Sequence, residues 1–275
     1  MAQAPLITLT DGKHIPALGL GTWELDNEQA QKSILAALTD GYRHIDTAAF
    51  YNNEQGVGKA VMESGVPRKE LFITSKIWNN DQGYDSTLKA FDQTLQRLGL
   101  EYLDLYLIHW PAPQKNAYVD TWKAFIDLHK EGRVRSIGVS NFNQDHLERI
   151  LQETGLLPAV NQIELHPGFN NAELAEFCRH QGIQVECWSP LGQGGELLKN
   201  PLLKELADKY NKSVAQVALR WHLQQGYVAI PRSKNPEHIA ANLNAFDFEL
   251  DDADMQRITA MPQTGRVGPD PLTLN

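Results

Sequence analysis

Four residues in this chain have the chemistry needed to deliver a proton to a carbonyl oxygen: Asp46, Tyr51, Lys76 and His109. Tyrosine has a reference pKa of ~10, and a neighbouring ammonium lowers that pKa because it favours the phenolate. A carboxylate beside the ammonium keeps the lysine charged, and an imidazole can orient the carbonyl through a hydrogen bond. The set contains no strong nucleophile. It suits stabilising negative charge on an oxygen while a proton is delivered to it.

These side chains can meet only if the fold brings separate strand ends together. One unit recurs along the chain: an amphipathic helix, a glycine and a short apolar strand. In the first unit, Glu28 to Asp40 predicts a helix, and Gly41 ends it because glycine accepts a left-handed backbone without penalty. The predicted strands are Leu18–Leu20, Arg43–Asp46, Leu71–Lys76, Leu103–Ile108, Val134–Val139, Ala159–Ile163, Ile183–Cys187 and Tyr227–Ile230.

Nearly apolar strands that alternate with helices indicate a parallel sheet covered by helices. Eight such units predict an α/β fold, a closed (β/α)8 TIM barrel that forms one domain over residues 1–275. An N-terminal hairpin (6–15), an extra helix (251–261) and a C-terminal loop (263–275) lie outside the repeat. The active site of this barrel lies at the C-terminal strand ends. Polar residues stand there in this sequence: Asp46, Lys76, His109, Asn141, Glu164, Ser189 and Arg232.

The composition excludes several classes of protein. The net charge of -9 argues against a nucleic-acid binder, which normally presents a basic face. Cys178 and Cys187 have neither a disulfide framework nor a metal-ligand spacing, so we expect two buried thiols and no metal. The start of the chain lacks the features of a signal peptide, and nothing approaches the ~20 apolar residues of a membrane span. We therefore expect a cytoplasmic protein that does not contact membranes.

Several distinctive motifs occur in order along the chain: Gly41-Tyr42-Arg43-His44-Ile45-Asp46-Thr47-Ala48, Ile108-His109-Trp110-Pro111, Gly138-Val139-Ser140-Asn141-Phe142 and Asn161-Gln162-Ile163-Glu164. In their order and composition they resemble the motifs of the aldo-keto reductases. The ending from Gly265 to Pro271 most resembles the bacterial 2,5-diketo-D-gluconate reductase branch. The resemblance implies hydride transfer from NADPH to a carbonyl. It makes Tyr51 the acid, with Lys76 and Asp46 tuning it and His109 orienting the substrate.

The same resemblance implies a set of cofactor contacts. Asn141 and Gln162 would hold the nicotinamide amide, Trp188 would stack on its ring, and the loop from Ser189 to Gly194 would cover the pyrophosphate. Arg232 and the helix N-terminus after Asn235 would bind the adenosine 2′-phosphate. The full implied set is Thr22, Asp46, Asn141, Gln162, Trp188, Ser189, Leu191, Gly192, Gly194, Arg232, Ser233, His238 and Asn242.

Two positions depart from the family pattern. His238 stands where many members have an arginine, and Ala241 stands where an acid is common. Both changes weaken the expected adenosine contacts. NADPH remains the expected cofactor, because Arg232 is charged at any relevant pH, with NADH as a weaker alternative.

The resemblance also implies five residues that line the substrate pocket: Trp23, Phe50, Trp78, His109 and Trp110. A short tail argues for an open pocket and small polar carbonyls. Candidates are 2,5-diketo-D-gluconate, methylglyoxal and β-keto esters. We expect a monomer.

Other interpretations of these residues are open at the level of sequence. Taken singly, Asp46 could be a helix N-cap and Lys76 a solvated cation. His109 could be a structural histidine with its hydrogen bonds satisfied, and Tyr51 a packing residue. A metal-dependent barrel hydrolase would use Asp46, His109 and His166, but strand-end histidines are few for a metal cluster. A regulatory or redox-sensing protein that binds the cofactor and turns over slowly is the second alternative.

Overall fold

A two-stranded hairpin precedes the main sheet. In the computed structural model, which describes residues 4–275, β1 (Leu6–Thr8) pairs antiparallel with β2 (His14–Pro16). Ile15 is fully buried against Phe72 and Leu105, near the beginnings of two barrel strands. The hairpin therefore covers the end of the barrel opposite the predicted site. The first three residues, which belong to the start predicted to lack a signal peptide, lie outside the described range.

The main sheet contains eight parallel strands in sequential order. They are β3 (Leu20–Gly21), β4 (His44–Asp46), β5 (Phe72–Ile77), β6 (Leu103–Ile108), β7 (Val134–Ser140), β8 (Val160–Glu164), β9 (Gln184–Trp188) and β10 (Val228–Ala229). The first and last strands meet: Leu18 forms a parallel bridge with Ala229, and Gly19 N donates to Ala229 O at 2.9 Å. The sheet is thus closed, and the predicted barrel is confirmed.

Ten α-helices follow within the described residues. They are α1 (Asn27–Asp40), α2 (Glu54–Glu63), α3 (Tyr84–Leu98), α4 (Tyr118–Lys130), α5 (Gln144–Thr154), α6 (Ala172–His180), α7 (Pro201–Tyr210), α8 (Val214–Gln224), α9 (Pro236–Leu243) and α10 (Asp252–Thr259). Short 3₁₀ turns lie at Ala49–Tyr51, Arg68–Glu70, Asn79–Asp81, Gly192–Gly194, Glu196–Lys199 and Asn244–Phe246.

Helix α1 shows why these elements form where the sequence predicts them. Asp26 caps it through a capping box with Gln29, which satisfies backbone N–H groups that have no partner within the helix. Gly41 ends it with a φ of 112°. Ile34, on its apolar face, is fully buried in the layer between helices and strands. The same layer holds the two largest fully buried side chains among the described residues, Trp122 and Trp221.

The boundaries depart from prediction by one or two residues at most of the strands. Two helices, α7 and α8, lie between β9 and β10 and are separated at Asn211. The extra helix is α10, and the residues after it have no regular secondary structure beyond turns, as expected. Both cysteines are buried free thiols. No helix among residues 4–275 is long and apolar enough to cross a membrane.

Candidate active site

A buried ion pair lies at the C-terminal ends of β4 and β5. Lys76 Nζ donates to Asp46 Oδ1 at 2.6 Å and to the carbonyl oxygen of Thr47 at 3.0 Å. Neither side chain has more than 2% of its surface exposed. A buried charge is stable only when it is paired and hydrogen-bonded. The interpretations of Lys76 as a solvated cation and of Asp46 as a helix cap are therefore wrong.

Tyr51 reaches this ion pair from the 3₁₀ turn that follows β4. Its hydroxyl oxygen lies 3.4 Å from Lys76 Nζ. Asn53, fully buried, holds the turn in place by accepting from Thr47 Oγ1 at 2.7 Å and donating to the carbonyl oxygens of Thr22 and Leu25. The turn is thus tied to the loop after β3, and the phenol is fixed beside the ammonium.

The pKa of Tyr51 is set by two opposing effects. Burial raises the pKa of the phenol, while the charge on Lys76 lowers it by a smaller amount, so the net shift is upward. The predicted contribution of Lys76 is confirmed, but the predicted net decrease is wrong because burial outweighs it. Burial lowers the pKa of Lys76, but Asp46 and Tyr51 together raise it by a larger amount. The net shift is upward, so the ammonium remains charged.

His109 follows β6 and faces Tyr51. The two ring centroids are 5.5 Å apart with planes at 76°. Burial, and then the charge on Lys76, hold the pKa of His109 well below its ordinary value. The imidazole is therefore neutral at physiological pH, which suits a group that orients a carbonyl by hydrogen bonding rather than by charge.

Aromatic rings line the space around His109. Phe50 stacks on Trp78 with ring centroids 3.8 Å apart, and Trp78 lies 5.2 Å from the imidazole. Trp110 stacks on the other side of His109 at 6.3 Å. Trp23 is exposed and forms no ring pair with these residues in the described chain. The structure thus brings together four of the five residues predicted for the substrate pocket.

Two buried amides and one indole lie beside the ion pair. Asn141 has a left-handed backbone (φ 63°), and its Oδ1 accepts from Trp188 Nε1 at 2.8 Å. Gln162 Nε2 donates to Asp46 Oδ2 at 2.8 Å, and within residues 4–275 no group donates to Gln162 Oε1. An available carbonyl acceptor next to a half-buried indole fits a planar aromatic ring that carries a carboxamide. Thr22, also predicted here, donates its hydroxyl to the carbonyl oxygen of Asp46 at 2.9 Å.

The predicted pyrophosphate loop follows Trp188 directly. Ser189 has a φ of 47°, and Gly192 and Gly194 have φ values of 56° and 72°. Glycine adopts these angles without strain and allows a ligand to approach the backbone. Leu191, between Ser189 and Gly192, is half-buried. Gly192 is buried against Leu197, whereas Gly194 is exposed, so the backbone that is open to a phosphate group lies at Gly194.

The C-terminal loop closes over the same indole. A Cβ built on Gly268 would come within 2.3 Å of Trp188 Cη2, so only glycine fits there. Glu164 anchors this loop, since its two carboxylate oxygens accept from the backbone N–H groups of Val267 at 2.6 Å and Gly268 at 3.0 Å. His166 is buried beside this anchor, with Nε2 at 3.2 Å from Glu164 Oε1.

The residues predicted to bind the adenosine 2′-phosphate follow β10. Arg232 is exposed and pairs with Glu24 at 2.8 Å. Ser233 accepts from the backbone N–H of Asn235, the N-cap residue of α9. His238 is exposed one turn into α9. Asn242 lies one turn after His238 on α9 and is buried beside the phenol of Tyr42.

Sequence reasoning missed three of these contributors. Glu24 and Asn53 are ordinary loop residues in the sequence, and only the fold shows that they pair with Arg232 and hold the turn of Tyr51. Glu186 is different, since it is an acid between Val185 and Cys187 in the predicted strand Ile183–Cys187. An acid at a buried strand position is itself a signal of function, and Glu186 lies here inside the barrel, hydrogen-bonded to Gln162 on the neighbouring strand.

The chain matches the model of the aldo/keto reductase family over residues 17–262. The chain belongs to the aldo/keto reductase family. The glyoxal reductase of Bacillus subtilis is 53% identical over 266 residues, covering 96% of this chain and 95% of the relative. Methylglyoxal reductase DkgA of Salmonella typhimurium is 49% identical, covering 98% of each chain. A crystal structure of a Gox0644 mutant in complex with NADPH superposes with a TM-score of 0.95 at 47% identity and full coverage of both chains.

Membership of an aldo/keto reductase family agrees with the arrangement of the site. A tyrosine, a lysine and a carboxylate meet at one end of a closed barrel, and a neutral imidazole faces the tyrosine. Among residues 4–275, no group of three or more His, Cys, Asp and Glu side chains could hold a metal ion. The metal-dependent hydrolase that the sequence left open finds no support in this part of the chain.

Proposed function

We propose that this aldo/keto reductase reduces small aldehydes and ketones to alcohols with NADPH, and that Tyr51 donates the proton. The observation that carries the proposal is the contact between the phenol and a fully buried ammonium, 3.4 Å apart. Such an ammonium stabilises the phenolate left behind after proton transfer. An exposed tyrosine has no comparable stabilisation.

The bound cofactor would supply a hydride to the carbonyl carbon. Tyr51 then gives its proton to the carbonyl oxygen, and the Lys76 ammonium balances the charge that develops on the phenolate. Asp46 keeps that ammonium in place and charged. His109, neutral and facing the phenol at 5.5 Å between ring centroids, can donate a hydrogen bond that orients the carbonyl oxygen.

The cofactor fits the remaining residues by their chemistry. Gln162 Oε1 can accept from a carboxamide, the face of Trp188 can stack on the ring that bears it, and the loop 189–194 offers open backbone to a pyrophosphate. Arg232 is the cation available for a 2′-phosphate, with Ser233 and His238 nearby in sequence. We infer NADPH over NADH from this arginine, and the NADPH complex of the structural relative supports the choice.

The substrate class follows from the aromatic wall and from the relatives. Phe50, Trp78 and Trp110 surround His109 with flat apolar surfaces, while His109 and Tyr51 supply polar groups that face each other beside this wall. Small dicarbonyls such as methylglyoxal and glyoxal fit this arrangement, and two relatives are named for them. 2,5-Diketo-D-gluconate and β-keto esters are the other compounds to test.

The test is a carbonyl panel assayed with NADPH and with NADH, following the absorbance of the reduced cofactor. We expect cofactor oxidation with methylglyoxal, faster with NADPH. Tyr51→Phe should lose about 10²–10⁴-fold in turnover, the usual contribution of a general acid. It should retain NADPH binding, measured by quenching of tryptophan fluorescence. Full activity in this variant would refute the assignment of Tyr51, and absence of turnover in the wild type would refute the proposed reaction.

A further inference from the structure

A second carboxyl group lies inside the barrel, close to the ion pair of Lys76 with Asp46. Glu186 is in the middle of β9 and has no exposed surface. It stands opposite Gln162 in the pairing of β8 with β9. Gln162 Nε2 donates to Glu186 Oε2 at 2.8 Å and to Asp46 Oδ2 at 2.8 Å. One amide group thus joins the two acids.

Glu186 has no cation of its own. Lys76 contacts Asp46 Oδ1, and Glu186 Oε1 has no hydrogen-bond partner among the described residues. The nearest basic atom to Glu186 Oε1 is His44 Nε2, at 3.4 Å. Burial lowers the pKa of His44 to about 3, so this imidazole is neutral and one of its ring nitrogens can accept a hydrogen bond. A buried carboxylate without a cation is costly, whereas a carboxylic acid at this position could donate to His44.

The charged groups near Glu186 affect its pKa, and its own charge would affect theirs. Burial and then the charge of Asp46 raise the pKa of Glu186 to about 8, against a weaker lowering by the hydrogen bond from Gln162 and by the charge of Lys76. A negative charge on Glu186 would in turn raise the pKa of Tyr51, of Lys76 and of the adjacent Cys187 thiol. Ionisation of Glu186 would therefore make Tyr51 a weaker acid.

We propose that Glu186 is a positioning residue that must be protonated for carbonyl reduction. As a neutral acid, it lets Gln162 hold Asp46 in place. Asp46 in turn holds Lys76 in the geometry that makes Tyr51 a proton donor. The inference rests on the proposed function. It adds a reason for reduction to slow in mildly alkaline solution, before the phenol itself ionises.

The kinetic test compares the pH dependence of kcat for methylglyoxal reduction at saturating NADPH. Wild type should lose activity with a midpoint near 8. Glu186→Gln, which keeps the shape and the donor of the neutral acid, should lose that midpoint and decline only at least one pH unit higher. Glu54→Gln is the matched control: Glu54 is equally buried but pairs with Arg97 and Ser75, so its variant should keep the wild-type midpoint.

A second readout needs neither substrate nor cofactor. The pKa of Glu186 is higher in the folded protein than its ordinary value of 4.5, so the folded state holds a proton that the unfolded chain releases above that pH. Its contribution to stability is therefore complete below pH 4.5 and is lost as the pH rises towards 8. Urea denaturation from pH 5 to 9 should show this decline in the wild type and a flatter profile in Glu186→Gln.

The outcomes separate the two proposals. Absence of reduction in the wild type refutes the proposed function, while urea denaturation still tests the proton on Glu186. Reduction by wild type with an unchanged alkaline midpoint in Glu186→Gln overturns the role of Glu186. Should Glu186→Gln not fold, infrared titration of the wild type decides: a protonated carboxyl band lost near pH 8 supports the inference, and the absence of such a band overturns it.

Discussion

Replacing Lys76 by methionine would separate the structural role of its ammonium from its role in proton donation. Methionine fills much of the same space but leaves Asp46 Oδ1 without the partner that lies 2.6 Å away. Asp46 would keep the hydrogen bond from Gln162 to its other oxygen. Removing one partner of a buried ion pair costs about 3–5 kcal/mol because the other charge is left unpaired. We expect a loss of that size in the free energy of unfolding.

A second substitution restores the balance of charge. In the double variant Lys76→Met, Asp46→Asn, no ion remains unpaired, and the asparagine carbonyl can still accept from Gln162. Most of the lost stability should return. Turnover should stay at least ~10²-fold below wild type, because the phenol of Tyr51 has lost the charge that stabilises its phenolate.

The assay measures both quantities on the same four proteins: wild type, the two single variants and the double variant. Urea denaturation followed by circular dichroism gives the coupling energy between the two positions. Methylglyoxal reduction with NADPH gives turnover, and fluorescence quenching checks that the cofactor still binds. A Lys76→Met protein as stable as wild type would refute the ion-pair argument. Turnover that returns together with stability in the double variant would show that Tyr51 does not need the ammonium.

Other regions of the site yield predictions of the same kind. Arg232→Ala should raise the Kd for NADPH roughly 10–100-fold, which corresponds to the loss of hydrogen bonds to a charged group. The Kd for NADH should be nearly unchanged, and equal losses of affinity for both cofactors would refute the 2′-phosphate contact. Gly268→Ala should displace Trp188, shift its fluorescence and weaken NADPH binding about fivefold, because the hydrogen bond from Trp188 to Asn141 is lost. An unshifted emission and an unchanged Kd would show that the loop moves instead. Asn53→Ala removes three buried hydrogen bonds and should cost at least about 2 kcal/mol in urea denaturation, with turnover falling as the turn of Tyr51 loosens; wild-type stability would contradict this.

The two cofactor-site predictions and the Asn53 prediction concern different parts of the barrel mouth. Arg232 is exposed, so its loss should not alter stability, and urea denaturation of that variant serves as the control. Asn53 is buried, so its variant should change stability and turnover together. A comparison of the two distinguishes loss of a ligand contact from loss of the scaffold.

The sequence predicted the position of the site better than its electrostatics. The ends of the strands could be located because helix-terminating glycines such as Gly41 and apolar runs such as 103–108 are local patterns. The net direction of the Tyr51 pKa shift could not be predicted, because it depends on how completely the surrounding chain excludes water from the phenol. The sequence identifies the cation beside that tyrosine but does not specify the extent of burial.

The contacts across the barrel were equally beyond the sequence. Glu164 and Gly268 are 104 residues apart, and Arg232 and Glu24 are 208 residues apart, so no periodic pattern connects them. Gln162 was predicted as a cofactor contact, but its donation to both Asp46 and Glu186 depends on inward-facing positions of three strands.

The sequence by itself determined the eight-fold alternation of strand and helix, the end of the barrel at which chemistry would occur and the four residue types that could perform it. These follow from local periodicity and from the rule that parallel strands in this barrel carry their polar residues at one end. Only the tertiary structure decided which of these groups are buried, paired or neutral. Those properties arise from low dielectric and from contacts between distant segments, neither of which is encoded in any local stretch of the chain.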